Sequence, residues 1–263
     1  MKTAIRILAL VLCLGLASTA AAEDNSWETI KEKGELRIGL DDAFPPMGFR
    51  NDKGELIGFD IDAAEKLGDR LGIDIKWQPT AWDGVIHSLN SGKFDCIWNG
   101  MTITDERAEK VDFTDPYIMD GQIVVIQMAN NIIHKFRDLK DKTIGVQQGS
   151  SALEAVEELP VEPGKVKEYE SNPKALLDLE SGRLDAVVID NVAGRYVIAN
   201  RPGKFKALSG FITKEPFGVA FRQEDDMLRK KIQEELNEMV ADGTMGRISQ
   251  KWFGEDITNP KDW

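Results

Sequence analysis

Short apolar runs and segments of helical periodicity alternate along most of the chain. Apolar or alternating runs predict strands at residues 36–40, 73–77, 94–98, 123–128, 143–146 and 186–189. Apolar side chains at helical spacing predict helices within residues 61–71, 82–89, 153–158, 175–179, 192–199 and 227–240. This alternation is typical of an α/β fold built on mostly parallel sheets.

The alternating pattern runs twice. One set of elements ends near Tyr117, a second begins near Thr143, and no long flexible linker separates them. We therefore predict two lobes joined by short extended crossings. The cleft between two such lobes is the default place for a small-molecule site.

The first 22 residues differ from the rest of the chain. Two basic residues are followed by an apolar run at residues 7–16 and by small residues at 18–22. This order predicts a secretory signal peptide that is cut after Ala22, and therefore an exported, soluble mature protein. A membrane anchor is disfavoured because spanning a bilayer takes ~20 apolar residues. A lipid anchor at Cys13 is disfavoured because a bulky leucine precedes it.

The charge of the chain argues against polyanionic partners. The formal net charge is −12, and removal of Lys2 and Arg6 with the signal peptide makes it −14. A strongly acidic protein is a poor binder of nucleic acids and anionic membranes. We therefore expect no nucleic-acid partner.

Most enzyme and metal sites lack the residues they need. The only histidines, His87 and His134, are not in a metal-ligand spacing, and the mature chain keeps a single cysteine, Cys96. The sequence has no phosphate-binding loop, dinucleotide fingerprint or nucleophile elbow. We predict no catalytic residues, no metal and no cofactor.

A strand followed by glycine, hydroxyl residues and a helix start occurs at residues 99–107. Thr104 is a natural N-cap, and Arg107 follows in the first turn, where a cation opposes the helix dipole. Arginine binds a carboxylate through two parallel hydrogen bonds, and the end of a strand facing a cleft suits such a ligand. The alternative is a surface arginine paired with Asp105 or Glu106. The residues alone do not decide between the two.

Two further strand ends carry polar groups. Gln147 is followed by Gly149 and Ser151 between a strand and a helix, where free backbone N–H groups attract anions. An ordinary serine cap is the alternative there. Asp190 ends a buried apolar run, where its carboxylate suits an ammonium group, caps the following helix, or does both.

An acid and two aromatic residues add a weaker signal near the start of the mature chain. Asp41 and Phe44 follow the first predicted strand, and Trp82 begins a predicted helix. Aromatic faces suit both alkyl stems and cations. A single aromatic residue after a strand is, however, more often part of the core.

Taken in order, these stretches resemble the periplasmic binding proteins for polar amino acids, which capture solutes for ABC importers. The resemblance covers essentially the whole mature chain. It rests on residues 36–39 with Asp41 and Phe44, and on residues 58–62, 100–107, 111–117, 145–151, 189–190, 242–244 and 251–254. The order and spacing of these motifs are far more specific than any one of them.

The resemblance implies a two-lobe fold that closes about a hinge over its ligand. After a signal peptide at residues 1–22, the first lobe would comprise residues 23–119 and 217–263. The second lobe would comprise residues 120–216. The residues implied as ligand-binding are Asp41, Phe44, Trp82, Asn99, Gly100, Met101, Thr102, Arg107, Gln147, Ser151 and Asp190.

The resemblance also implies roles for these residues. Arg107 would clamp the α-carboxylate of the ligand, helped by Thr102 and by the backbone around Gly100 and Ser151, and Asp190 would take the α-ammonium. The side chain would lie between the two aromatic residues, with Asp41, Asn99 and Gln147 near its tip. Because both charges of a zwitterion need partners when they leave water, this arrangement is physically consistent.

The tip of the pocket departs from the pattern of some relatives. Ile189 stands where glutamine binders can carry a histidine, and Gln147 where they can carry a lysine. We therefore expect a cationic or amide side chain: arginine, lysine, histidine or glutamine.

Two rival functions share this scaffold. One is a cyclohexadienyl dehydratase-like enzyme, for which Asp41 or Glu215 is a candidate general acid. The other is an amino acid sensor that signals instead of feeding transport. The favoured interpretation is a monomeric periplasmic binding protein whose partners are an amino acid and the membrane permease of an ABC importer.

Overall fold

The computed structural model describes residues 24–259, so the predicted signal peptide lies outside the described residues. The helices are α1 (Ser26–Lys33), α2 (Phe59–Leu71), α3 (Val85–Asn90), α4 (Asp105–Ala108), α5 (Ala152–Glu157), α6 (Asn172–Glu180), α7 (Asn191–Asn200), α8 (Asp226–Ala241) and α9 (Thr244–Phe253). The strands are β1 (Glu35–Leu40), β2 (Ala43–Phe44), β3 (Gly48–Arg50), β4 (Leu56–Ile57), β5 (Asp74–Pro79), β6 (Cys96–Thr102), β7 (Asp112–Phe113), β8 (Ile118–Asp120), β9 (Gln122–Gln127), β10 (Thr143–Gln147), β11 (Lys165–Tyr169), β12 (Ala186–Asp190), β13 (Phe205–Ala207) and β14 (Glu215–Phe221).

The first sheet has the strand order β5-β1-β6-β14-β7, with β8 also paired to β14. Strands β5, β1 and β6 are parallel, and β14 runs antiparallel to β6. Leu36, Ile38 and Leu40 of β1 are fully buried, as the apolar run predicts. Helix α2 packs its apolar side against this sheet and shares a core with it.

The second sheet has the strand order β11-β10-β12-β9-β13. Strands β11, β10 and β12 are parallel, whereas β9 is antiparallel to β12 and to β13. Every residue of β12 is buried, because helices cover both faces of this strand. The predicted α/β class is therefore confirmed, with an antiparallel strand added to each parallel set.

The chain passes between the two sheets along a pair of antiparallel strands. In this pair, Glu215 lies opposite Asp120 and Phe217 lies opposite Ile118. We call the elements α1–β8 and β14–α9 the first lobe, and the elements β9–β13 the second lobe. The predicted lobe boundaries fall on β8 and β14, and their positions stay a prediction.

Two predicted elements begin elsewhere than expected. The strand predicted from residue 94 starts at Cys96, which pairs with Ile38; the Phe94 ring instead packs so closely on Gly39 that a Cβ there would lie 2.4 Å from it. The segment at residues 82–89 opens with a 3₁₀ turn, Trp82–Gly84, before α3. Within residues 24–259, no helix is long and apolar enough to cross a bilayer.

Candidate ligand-binding site

A cavity with an empty volume of about 280 Å³ lies between the two lobes. Its lining residues are Asp41, Phe44, Trp82, Asn99, Gly100, Thr102, Arg107, Gln147, Ser150, Ser151 and Asp190. The structure thus brings the residues of the predicted site together, with the exception of Met101 and the addition of Ser150.

Met101 belongs to a different environment. Side chains of a strand alternate between its two faces, so Met101 cannot share the face of Gly100 and Thr102 in β6. It is fully buried in an apolar cluster with Val85 and Leu89. Its side chain also borders a separate groove outside the cavity. Met101 therefore does not line the cavity, and its assignment as a ligand-binding residue stays a prediction.

The end of β6 and the start of α4 place an arginine in the cavity wall. The Thr104 hydroxyl caps α4 by accepting a hydrogen bond from the Arg107 N–H at 3.3 Å, as the sequence predicts. The guanidinium donates from Nη1 to the Thr102 carbonyl at 2.8 Å and from Nη2 to the Gly149 carbonyl at 3.1 Å. It also lies 5.8 Å from the centre of the Trp82 ring.

This setting excludes the surface-arginine alternative. Arg107 is 8% exposed, and Glu106 pairs with Lys110 instead. Burial lowers the pKa of the Arg107 guanidinium, while the negative charge of Asp190 acts in the opposite direction. Because a guanidinium has five N–H donors, Arg107 keeps donors free beyond its two carbonyl bonds.

Gly100 allows the aromatic wall to approach the strand. Its φ of +56° is in the left-handed region, and a Cβ there would lie 2.9 Å from Cε1 of Phe44. Phe44 and Trp82 both line the cavity and are mostly buried. These two rings supply apolar faces for the stem of a ligand.

Asp190 ends β12 and faces the cavity from the second lobe. Its side chain makes no capping hydrogen bond to α7, so the capping alternative is wrong. Instead Oδ1 accepts a hydrogen bond from Nε2 of Gln122 at 2.9 Å. Burial, reinforced by the charge of Glu215, raises the pKa of Asp190 to about 7.

Two buried residues absent from the predicted site support this wall. Oε2 of Glu215 accepts hydrogen bonds from the hydroxyls of Ser151 at 2.6 Å and Thr102 at 3.0 Å. Nε2 of Gln122 donates to the same oxygen at 3.2 Å. Gln122 opens an apolar strand and carried no sequence signal, and Glu215 drew notice only as a possible general acid.

Asp41, Asn99 and Gln147 form a second hydrogen-bonded group in the cavity wall, and we call this part of the wall the distal end. Asp41 accepts hydrogen bonds from the Ala43 N–H at 2.9 Å and from Nε2 of Gln147 at 2.7 Å. Asn99 accepts one from the Asp41 N–H at 3.0 Å. Burial raises the pKa of Asp41, and the Gln147 hydrogen bond counteracts this rise.

The arrangement can hold a molecule with charges at fixed places. One end offers the Arg107 guanidinium on the first lobe and the Asp190 carboxylate on the second, and the distal end offers a second carboxylate. Within residues 24–259, no group of three or more His, Cys, Asp or Glu residues is placed to hold a metal ion.

Comparison with known proteins gives consistent results. The L-cystine-binding protein TcyJ of Escherichia coli is 33% identical over 96% of this chain and 95% of its own length. The L-arginine-binding protein of Pseudomonas aeruginosa is 34% identical over 93% and 97%.

A solved structure agrees with these relatives. An ABC uptake transporter substrate-binding protein from Streptococcus pneumoniae, with bound histidine, superposes with a TM-score of 0.85 at 36% identity. The match covers 90% of this chain and 99% of that one. Residues 36–255 match the family described as bacterial extracellular solute-binding proteins, family 3. The chain is therefore a two-lobe solute-binding protein and belongs to family 3 of the bacterial extracellular solute-binding proteins.

Proposed function

We propose that this protein captures a polar L-amino acid with a cationic or amide side chain and delivers it to an ABC importer. The observation that carries the proposal is that Arg107 and Asp190 line the same cavity, one from each lobe. The named relatives support the capture of an amino acid, because they bind cystine, arginine and histidine.

The pairing suits the zwitterionic part of an amino acid. The free N–H donors of Arg107 take the α-carboxylate, whereas the Thr102 hydroxyl already donates to Glu215. Asp190 takes the α-ammonium through the oxygen that Gln122 does not contact. A buried unpaired charge is costly, so a ligand that lacks either charge leaves one of these groups uncompensated.

The distal end selects among amino acids by the tip of the side chain. Asp41 is an acceptor, so it favours an ammonium, guanidinium or amide N–H over a carboxylate. Phe44 and Trp82 lie along the aliphatic stem. Because the α-carboxylate is held mainly by the first lobe and the α-ammonium by the second, the ligand stabilises the closed arrangement.

The remaining parts of the proposal concern the cellular location of the protein, its partner in the membrane and its oligomeric state. The signal-like first 22 residues support export to the periplasm. A closed, loaded protein differs in shape from an open one, which gives a membrane permease a basis for selective docking. One chain carries both lobes, so a monomer suffices.

The first test measures thermal unfolding of the mature protein with arginine, lysine, histidine, glutamine and cystine, after refolding to remove bound ligand. A ligand at ~100 times its Kd adds ~2.7 kcal/mol to the free energy of unfolding. We expect one or two of these amino acids to raise the Tm, and Arg107→Ala to abolish the rise. Arg137→Ala removes an exposed arginine of the second lobe and serves as the matched control. A wild type whose Tm responds to no amino acid contradicts the proposal.

We also propose that the protein is not an enzyme. The relatives named above are binding proteins. The dehydratase alternative predicts that arogenate or prephenate is converted to phenylalanine or phenylpyruvate, so product formation by the purified protein would overturn this part. The sensor alternative predicts normal amino acid binding with no loss of uptake when the gene is deleted.

A further inference from the structure

A chain of three side chains crosses the cleft at the distal end of the cavity. Nδ2 of Asn172 donates to Oε1 of Gln147 at 2.9 Å, and Nε2 of Gln147 donates to Oδ2 of Asp41 at 2.7 Å. Asn172 and Gln147 belong to the second lobe, and Asp41 belongs to the first. Asn172 is the first residue of α6, is 4% exposed and does not line the cavity.

The chemistry of the neighbours fixes how the Gln147 amide is oriented. Its nitrogen faces two acceptors, the Asp41 carboxylate and the Glu170 carbonyl, the latter at 3.4 Å. An amide oxygen turned toward those groups would meet only other oxygens. The Gln147 oxygen must therefore face Asn172, and Asn172 must present its NH₂ group to it.

This orientation decides what the distal end offers to a ligand. Both N–H bonds of Gln147 point at protein acceptors, so Gln147 has none left for the carbonyl of a ligand amide. The Asp41 carboxylate keeps further lone pairs beyond its bonds from Gln147 and Ala43. Asn99 also has an amide nitrogen without a hydrogen-bond partner, but this Nδ2 is buried against Gly48, where a Cβ would lie 2.8 Å from it. A cationic tip, which needs only acceptors, is therefore served better than an amide tip, which also needs a donor.

We infer that Asn172 is a positioning residue that makes the site prefer cationic over amide side chains, an inference that rests on the proposed function. Asn172 acts through Gln147, since it holds the Gln147 amide with its N–H bonds turned away from the ligand. Without Asn172, the Gln147 oxygen loses its hydrogen bond from Nδ2 of Asn172, and the amide is held only from its nitrogen side. Nε2 then keeps its 2.7 Å bond to Asp41, gives up the longer 3.4 Å bond to Glu170, and turns its second N–H toward a ligand carbonyl. Loss of Asn172 should therefore reduce the preference for cationic over amide side chains, instead of lowering the affinity for all ligands by the same factor.

The test measures Kd by calorimetry for arginine, lysine and glutamine with the wild type and with Asn172→Ala. We expect the wild type to bind arginine or lysine more tightly than glutamine. In the variant, the ratio of the glutamine Kd to the cationic Kd should fall by about three- to tenfold, which corresponds to one hydrogen bond gained by glutamine. A purely structural role would raise both Kd values by the same factor and would overturn the inference.

Two further variants test whether the effect of Asn172 on ligand preference passes through Gln147. In a Gln147→Leu background, Asn172→Ala should not change the ratio further, because its effect passes through the Gln147 amide. Ser171→Ala alters the same helix end, where the serine makes no capping bond, and should leave the wild-type ratio unchanged. If Asn172→Ala does not fold, Asn172→Ser replaces it, since a serine is too short to reach Gln147.

The outcomes separate the inference from the proposed function. A wild type that binds amino acids but prefers glutamine, or a ratio that Asn172→Ala leaves unchanged, overturns only the role of Asn172. A wild type that binds no amino acid overturns the proposed function as well.

Discussion

Two of the regions in which the lobes contact each other have opposite character. At the cavity, the contacts are buried and polar, as in the 2.7 Å hydrogen bond from Gln147 to Asp41. Outside the cavity, the contact is aromatic: the rings of Tyr196 in the second lobe and Phe49 in the first have centroids 5.6 Å apart. Trp252 extends this aromatic contact, with its centroid 6.0 Å from that of Phe49.

This difference indicates that the polar region serves ligand selection and that the aromatic region serves closure of the lobes. A polar contact depends strongly on partner and geometry, because any buried group left unpaired is costly. Apolar ring contacts are not selective in this way and favour lobe contact whatever the ligand is. We therefore expect changes in the polar region to alter which ligand binds, and changes in the aromatic region to alter how tightly every ligand binds.

The largest expected effect comes from Asp190→Asn, which breaks the polar region. The substitution keeps the shape of the side chain but removes the charge that we propose pairs with the α-ammonium. Removing one member of a buried charge pair costs about 2–5 kcal/mol, so the Kd should rise at least ~30-fold for every amino acid. Calorimetry measures it, and Asp141→Asn, an exposed isosteric change in the same lobe, should leave the Kd unchanged. An Asp190→Asn variant that binds as the wild type does would show that Asp190 is not the ammonium partner.

An effect that is smaller per pH unit concerns Asp60, which is fully buried. Burial raises the pKa of Asp60 to about 8, although polar groups of Tyr117 and Gly100 nearby lower it in part. Because the folded-state pKa lies above the unfolded one of ~3.9, the folded state binds more protons between those values. The free energy of unfolding therefore falls as the pH rises from about 4 to about 8, by up to about 1.4 kcal/mol per pH unit from this group.

The pH effect is measured as the difference between the wild type and Asp60→Asn in denaturant titrations at several pH values. Asn cannot ionise, so the stability of the wild type relative to the variant should decline through this range. Asp69→Asn makes the same change at an exposed position of α2 and serves as the matched control. A constant difference for Asp60→Asn would mean that Asp60 does not hold a proton in the fold.

The smallest expected effect comes from Tyr196→Ala, which removes the aromatic contact. Aromatic pairs contribute about 0.5–1.5 kcal/mol beyond the area they bury, so affinities should fall about two- to tenfold. The factor should be the same for each amino acid, in contrast to Asn172→Ala. Tyr196→Phe keeps the ring and should behave as the wild type does. A change in ligand preference with Tyr196→Ala would contradict the division between selection and closure.

Local patterns predicted much of the fold and of the site. The apolar runs located β1, β9, β10 and β12, and the long amphipathic pattern located α8 to within one residue at each end. The Thr104 cap followed from the sequence because a cap involves only residues within one helical turn. Short pieces such as β2–β4 were missed, since runs of two or three residues show no measurable periodicity.

Several site features had no local signal. Gln122 and Glu215 are 93 residues apart, and they meet because the chain crosses twice between the lobes along β8 and β14. The face on which Met101 lies depends on the register of β6, because shifting a strand by one residue reverses its faces.

What the sequence determined by itself was the alternation of elements, the polar groups at strand ends and the family pattern, because each depends on neighbours along the chain. Only the tertiary structure decided which of those groups share a cavity and how each is oriented. Asn172 shows the difference: its position at the start of α6 is local, but its hydrogen bond to Gln147 exists because β10 and α6 pack together. Hydrogen bonds act over about 3 Å, so only the packed fold determines which partners meet.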